Sequence, residues 1–188
     1  MEILFSVLLG IGLSSAAGFR VFVPLLVVGL ASRFGYLDVT DGFSWLGSTP
    51  ALIVFAVATA AEILAYYVPW VDNALDAVAT PSATTAGVVL TAAVLDDVDP
   101  VVRWTLAILA GGGSATVFQG LTTGLRQLSS LTTFGLGNPI VATGEAALST
   151  TLALLAIAVP LAAFLLAALL LWLIARRLLR RRRRAAPA

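Results

Sequence analysis

Residues 3–30 read ILFSVLLGIGLSSAAGFRVFVPLLVVGL, an apolar run whose one charged side chain is Arg20. As a continuous helix this run would be roughly 42 Å long at 1.5 Å per residue, more than the about 30 Å of a bilayer's hydrocarbon core. Gly10, Gly12, Gly18 and Pro24 interrupt it, so the stretch is expected to be a broken or kinked element, or two helices. A soluble core helix has no use for such length without a polar face. The fold class predicted from here outward is therefore all-α, a polytopic helical membrane protein.

The rest of the chain agrees. Of its 188 residues 60% are hydrophobic and 11% charged, with mean hydropathy +1.01. Soluble domains are about 45–50% apolar and about 25% charged. Four further apolar blocks follow, giving about five spans with broken or re-entrant parts. Pro50 to Val68 forms the second, ended by Pro69, with Tyr67 and Trp70 suited to the interface. Residues 71–79 carry Asp72 and Asp76 on one helical face and suggest a short amphipathic helix along the membrane. The third block, 83–95, is about 20 Å long as a helix and spans with difficulty. The fourth runs from Val101 to about Leu125, and residues 131–144 are expected to be irregular and re-entrant around Gly137-Asn138-Pro139. The last, 148–175, is expected to be one long span bent at Pro160. Residues 1–175 thus read as one transmembrane domain, with 176–188 as a basic tail.

Seven of the eleven arginines lie in that tail, against four arginines and ten carboxylates before it. Basic residues flanking spans stay inside, so the C-terminus is expected in the cytoplasm of a multi-pass bacterial inner-membrane protein. The tail also suits anionic lipid headgroups. The partners expected are the bilayer and those headgroups, with no nucleic acid; a homo-oligomer is left open. Met1-Glu2-Ile3 lacks the basic start of a signal peptide, although Ser14-Ser15-Ala16-Ala17 has the small residues of a cleavage site.

With no cysteine, histidine or lysine, thiolate chemistry and Ser-His-Asp catalysis have no residues to work with. No enzyme, metal or cofactor is expected. Asp96-Asp97-Val98-Asp99 lacks the glycine and distant glutamate of an EF-hand and reads as a solvated turn. Gly111-Gly112-Gly113-Ser114 lacks the Gly-Lys-Ser/Thr of a phosphate-binding loop.

Two ridges of small residues, Gly10-Ser14-Gly18 and Gly112-Thr116-Gly120-Gly124, recur every four residues and predict helix packing. Each ends alike, Gly18-Phe19-Arg20 and Gly124-Leu125-Arg126, with Phe34-Gly35 and Phe134-Gly135 beyond, a weak internal repeat. Broken helices in repeats are common in transporters. Arg20 cannot shed its charge, and at the bilayer centre that charge costs about 2.5–3.5 kcal/mol or more. Glu62 is its first expected partner and Glu145 its second. Arg20, Glu62, Asn138 and Glu145 make a candidate polar centre, with Asp72, Asp76 and Arg126 as secondary candidates. Two functions fit: a small-solute or ion transporter or channel, or a non-transporting scaffold or assembly protein whose buried charges fix packing.

Ala16-Ala17-Gly18-Phe19-Arg20 with Pro24-Leu25-Leu26 resembles the opening of an uncharacterised bacterial membrane family, domain of unknown function 4126. Glu62, Pro69, Asp72, Asp76, Pro81 and Gly87 resemble its middle, and Gly137-Asn138-Pro139 with Glu145 its end. The chain departs from the family pattern at Tyr66-Tyr67 and Ala146. The resemblance implies a helical membrane fold and no activity.

Overall fold

In a computed structural model the chain is 88% helical. The structure describes residues 2–65, 69–133 and 137–185, apart from the side chains of residues 2, 69–77, 128, 174–175 and 177–185. The expectations for Tyr67, Phe134-Gly135, the side chains of Trp70, Asp72 and Asp76, and most of the arginine tail fall outside that description. Among the described residues eight α-helices follow in order: α1 (Glu2–Ala17), α2 (Phe22–Arg33), α3 (Thr49–Ala65), α4 (Pro69–Val94), α5 (Pro100–Leu106), α6 (Gly113–Thr133), α7 (Asn138–Ala158) and α8 (Pro160–Ala185). A 3₁₀ turn, Asp41–Gly47, precedes α3, and a π-helical segment, Ala107–Gly112, joins α5 to α6.

The opening run does break, at residues 18–21. Its halves form a helical hairpin. Ile3 and Leu9 of α1 share a pocket with Leu37 and Asp38 beyond α2, so both outer ends lie at one end of the bundle and the break at the other. From α2 the chain doubles back again: Gly29 packs on the Leu46 carbonyl and Leu52, while Arg33 donates to the Gly47 carbonyl and Thr49. That contact starts α3 beside the end of α2 and returns Glu62 to the break.

Helix α1 is the axle. Gly10 meets Thr91 of α4, and the Ser14 hydroxyl lies 2.8 Å from both the Gly87 carbonyl and the Thr91 hydroxyl. Gly12 takes Ala156 of α7 and Ala163 of α8 on its other side. Gly18 lies against Phe118 and the Ala115 carbonyl of α6, where Phe19 and Phe118 rings sit 5.2 Å apart. These contacts need residues with almost no side chain, because packing without a hydrophobic drive from water depends on close backbone approach.

Several sequence expectations need correction. Residues 71–79 and 83–95 belong to one 26-residue helix, α4, with Pro81 inside it. The two blocks are thus continuous, while the apolar part, Val78–Val94, remains a short apolar helix. Pro81 removes one backbone donor, and nearby Ser82, Thr84 and Thr85 hydroxyls bond the Val78, Thr80 and Pro81 carbonyls. Residues 131–133 and 138–144 are helical, because Gly137 opens α7 with Pro139 in its first turn, where a missing N–H costs nothing. The last block is two helices rather than one bent span. The backbone breaks at Val159, and Ala156 and Ala163 both reach Gly12.

The second ridge is half right. Gly112 packs on Val88 and Thr84, and the Thr116 hydroxyl sits 2.6 Å from that of Thr84. Gly120 and Gly124 touch nothing among the described residues and are exposed. The contact face instead runs through Gly111, Ala115, Phe118 and Thr122, because at 3.6 residues per turn each step of four drifts about 40° around the axis and carries Gly120 and Gly124 off that face. Gly120→Leu should therefore leave the thermal midpoint in detergent within about 0.5 kcal/mol of the parent. Aggregation or a clear loss of stability in that variant would restore the original ridge.

Among the described residues, Pro100–Thr133 and Asn138–Ala158 are each long and apolar enough to cross a membrane. The 3₁₀ turn with α3, bent by 60°, makes a third broken candidate. Ile3–Ala17, Phe22–Arg33, Val78–Val94 and Pro160–Leu173 are shorter apolar helices. Apolar side chains such as Ile53, Val54, Val57, Leu109, Leu154 and Leu165 are exposed along these elements, as a lipid-facing exterior requires.

Candidate functional site

The break between α1 and α2 leaves unsatisfied carbonyls at the end of α1 and unsatisfied N–H groups at the start of α2. The sequence supplies a group for each. Ser149 of α7 donates to the Ala16 carbonyl at 2.9 Å. Glu62 of α3 takes the Val21 N–H on one carboxylate oxygen at 2.9 Å and the Phe22 N–H on the other at 3.1 Å. A carboxylate at a helix N-terminus also meets the positive end of the helix dipole. Glu62 therefore caps α2 from another helix.

Arg20 leaves the C-terminal end of α1, where a cation is favoured. It is 1% exposed. Its guanidinium donates to the Ala142 carbonyl at 3.0 Å and lies 3.2 Å from the Glu145 carboxylate. The other oxygen of Glu145 is 3.3 Å from Nε of Arg126, so two buried arginines share this carboxylate. Arg126 is 2% exposed and Glu145 3%. Both arginines also act electrostatically on Glu62. The cluster joins residues from the α1–α2 break, α3, α6 and α7.

The expected order of partners is thus reversed. Glu145 forms the ion pair with Arg20, and Glu62 binds the backbone next to it. A helix N-terminus with two free N–H groups competes for a carboxylate as well as a guanidinium does, and residue spacing does not reveal it. Arg126, a secondary candidate, proves to be central. Asn138 is buried but exchanges hydrogen bonds with Ser130 of α6, one helical turn before Ala142.

Gln119 and Ser149 were not singled out from the sequence, yet both are buried. The signal was there: Ser149 lies four residues after Glu145, and Gln119 seven before Arg126, each on the same helix face. On α7 that face runs Ala142, Glu145, Ser149, Leu152, Ala153 and Ala156, all buried.

Beside the charges, Glu62 lines a cavity of about 300 Å³ whose walls include Phe22, Ala58, Ala61, Ala79 and Ser82. Among the described residues no group of three or more acidic side chains is placed to hold a metal ion. A larger hollow at the opposite end carries Asp38, Asp96 and Asp97. There Asp99 caps α5 by accepting from the Val101 N–H at 2.8 Å.

No curated protein and no solved structure matches the chain. Residues 7–180 match the family described as Domain of unknown function (DUF4126), a span that reaches into each described helix and includes every member of the buried charge cluster. An all-helical chain with apolar helices suited to a membrane, it belongs to the DUF4126 family.

Proposed function

We propose that the protein carries a small solute or ion across the membrane, and that the charges at the α1–α2 break form the centre of its path. The observation that supports this is the break itself. A helix interrupted among apolar helices, with its new ends facing Arg20, Glu62, Glu145 and Arg126, is how many transporters build an internal polar site. Intramembrane ionisable groups are expensive, and function is the ordinary reason for keeping several together. No enzyme activity and no cofactor enter this proposal, since arginine and carboxylates alone make a thin catalytic set.

One observation favours the second reading, a scaffold whose charges only set packing: Arg20 is fully buried and already paired. Proteoliposomes separate the two. After a hyperosmotic shock with small charged or uncharged solutes, a transporter lets vesicles reswell as its solute enters, and Glu145→Gln slows that phase at least tenfold. Reswelling equal to protein-free vesicles for every solute would leave the scaffold.

The proposal places the chain in the bacterial inner membrane with its C-terminus in the cytoplasm. The arginine tail then lies on anionic headgroups, where each basic residue contributes about 1 kcal/mol. Arg176 already stacks its guanidinium 4.9 Å from the Trp172 ring, near the end of α8. A cysteine placed at Ala188 should resist an impermeant thiol reagent in intact cells and react after lysis. Labelling of intact cells would reverse the topology.

A further inference from the structure

In the cavity beside Glu62 a charged side chain from the buried cluster reaches open volume. We infer that it is a binding site for a small organic cation, an ammonium group on a compact apolar body. This rests on the transport reading and names its cargo.

The walls decide the chemistry. Among the described lining residues Glu62 is the charged one, and Ser82 adds one hydroxyl. Phe22 and the alanines at 58, 61 and 79 make the rest apolar. An anion would face Glu62 directly. A bare metal ion needs about six oxygen ligands, and the described lining residues offer one carboxylate and one hydroxyl. A hydrocarbon would fill the volume but leave the carboxylate edge without a donor. An alkylammonium ion meets all three features.

Glu62 has capacity left for it. Its hydrogen bonds among the described residues are the two from Val21 and Phe22, one on each oxygen. A carboxylate offers about four acceptor positions. The Ser82 hydroxyl gives its proton to the Val78 carbonyl at 2.7 Å, leaving its oxygen able to accept. Phe22 adds an aromatic wall, a favoured neighbour for ammonium groups. About 300 Å³ is the lower end of ligand-pocket size and would hold about ten waters at their liquid volume of about 30 Å³ each. Small bodies fit and long lipids do not. Because Glu62 also caps α2, a cation bound there shares its carboxylate with the helix break and so communicates with the charges beyond it.

Radiolabelled cyclohexylammonium is the probe, with the full chain in nanodiscs and binding read by scintillation proximity. Saturable binding is expected, displaced by unlabelled cyclohexylammonium but not by equal concentrations of cyclohexanol or cyclohexanecarboxylate. Ala61→Phe fills the cavity from an exposed position and should weaken binding about tenfold or more. Glu62→Gln should do the same by removing the charge, since charge-assisted hydrogen bonds are about twice as strong as neutral ones. Absence of saturable binding to the parent, equal competition by cyclohexanol, or parent-like binding by folded Ala61→Phe would each overturn the site. The parent's displacement series decides even if both variants fail to fold. Binding without any solute flux would overturn transport and keep the site. Flux of other solutes without cyclohexylammonium binding would do the reverse.

Discussion

Glu145→Gln is expected to be the most damaging single polar substitution in the chain, at about 3–5 kcal/mol. The cost does not come from losing one favourable pair. Glu145 has its two oxygens 3.2 and 3.3 Å from two different guanidiniums, both almost wholly buried. Neither arginine can discard its proton, so two cations lose their shared counter-charge in a medium that solvates them poorly. Thermal unfolding in detergent measures the loss. A double-mutant cycle identifies its origin. Arg20→Met in the Glu145→Gln background should cost less than in the parent, because the neutral side chain removes a charge that has become a liability. A coupling of about 0.5–3 kcal/mol is expected for this pair. The corresponding cycle of Arg20 with Glu62 should give a smaller coupling, since Glu62 holds backbone N–H groups. Strict additivity for Arg20 and Glu145, or a larger coupling to Glu62, would show that the ion pair is drawn wrongly.

Gly18→Ala should be nearly as severe for a steric reason. A methyl group there would meet Cβ of Phe118, the Ala115 carbonyl oxygen at 2.6 Å and the Gln119 nitrogen at 3.1 Å. Two of these are backbone atoms of α6, which cannot rotate out of the way as a side chain can. The helices must part, and overpacking of this kind costs about 1–3 kcal/mol or more. Parting them also pulls α6, and Arg126 with it, away from the break that carries Arg20. The variant should therefore lose both thermal stability and cyclohexylammonium binding, whereas Gly120→Leu retains both. Equal midpoints for Gly18→Ala and the parent would mean that α1 and α6 do not meet at this position.

How much of this was legible beforehand varies element by element. The broken opening run was legible because glycines, proline and a charge coincide in a stretch too long to span once. The first small-residue ridge was legible because residues four apart share a face on any straight helix. The second ridge misled below Thr116, where the contact follows Ala115, Phe118 and Thr122 instead of Gly120 and Gly124. A strict spacing of four drifts about 40° per step on a 3.6-residue helix, so a long ridge leaves the contact face. Pro81 lies inside α4, which joins the expected amphipathic stretch 71–79 to the third block. Pro160 was taken as a bend and begins a new helix.

Composition and hydropathy by themselves determined that this chain is an all-helical protein with an apolar exterior, that its first run breaks or kinks, and that the charge of Arg20 needs a partner, a wet cavity or a route to the interface. Those conclusions follow from costs every such chain meets: backbone groups need partners, and charge is expensive away from water. Which carboxylate serves Arg20 was decided only by the tertiary structure. Glu62 and Glu145 are alike in sequence, each an acid among apolar neighbours. Folding α2 back on α3 sets Glu62 against the open N–H groups of α2, and antiparallel packing of α7 on α1 sets Glu145 between Arg20 and Arg126. The difference between the two acids lies in which helix ends they face, and helix ends face one another only after the chain has packed.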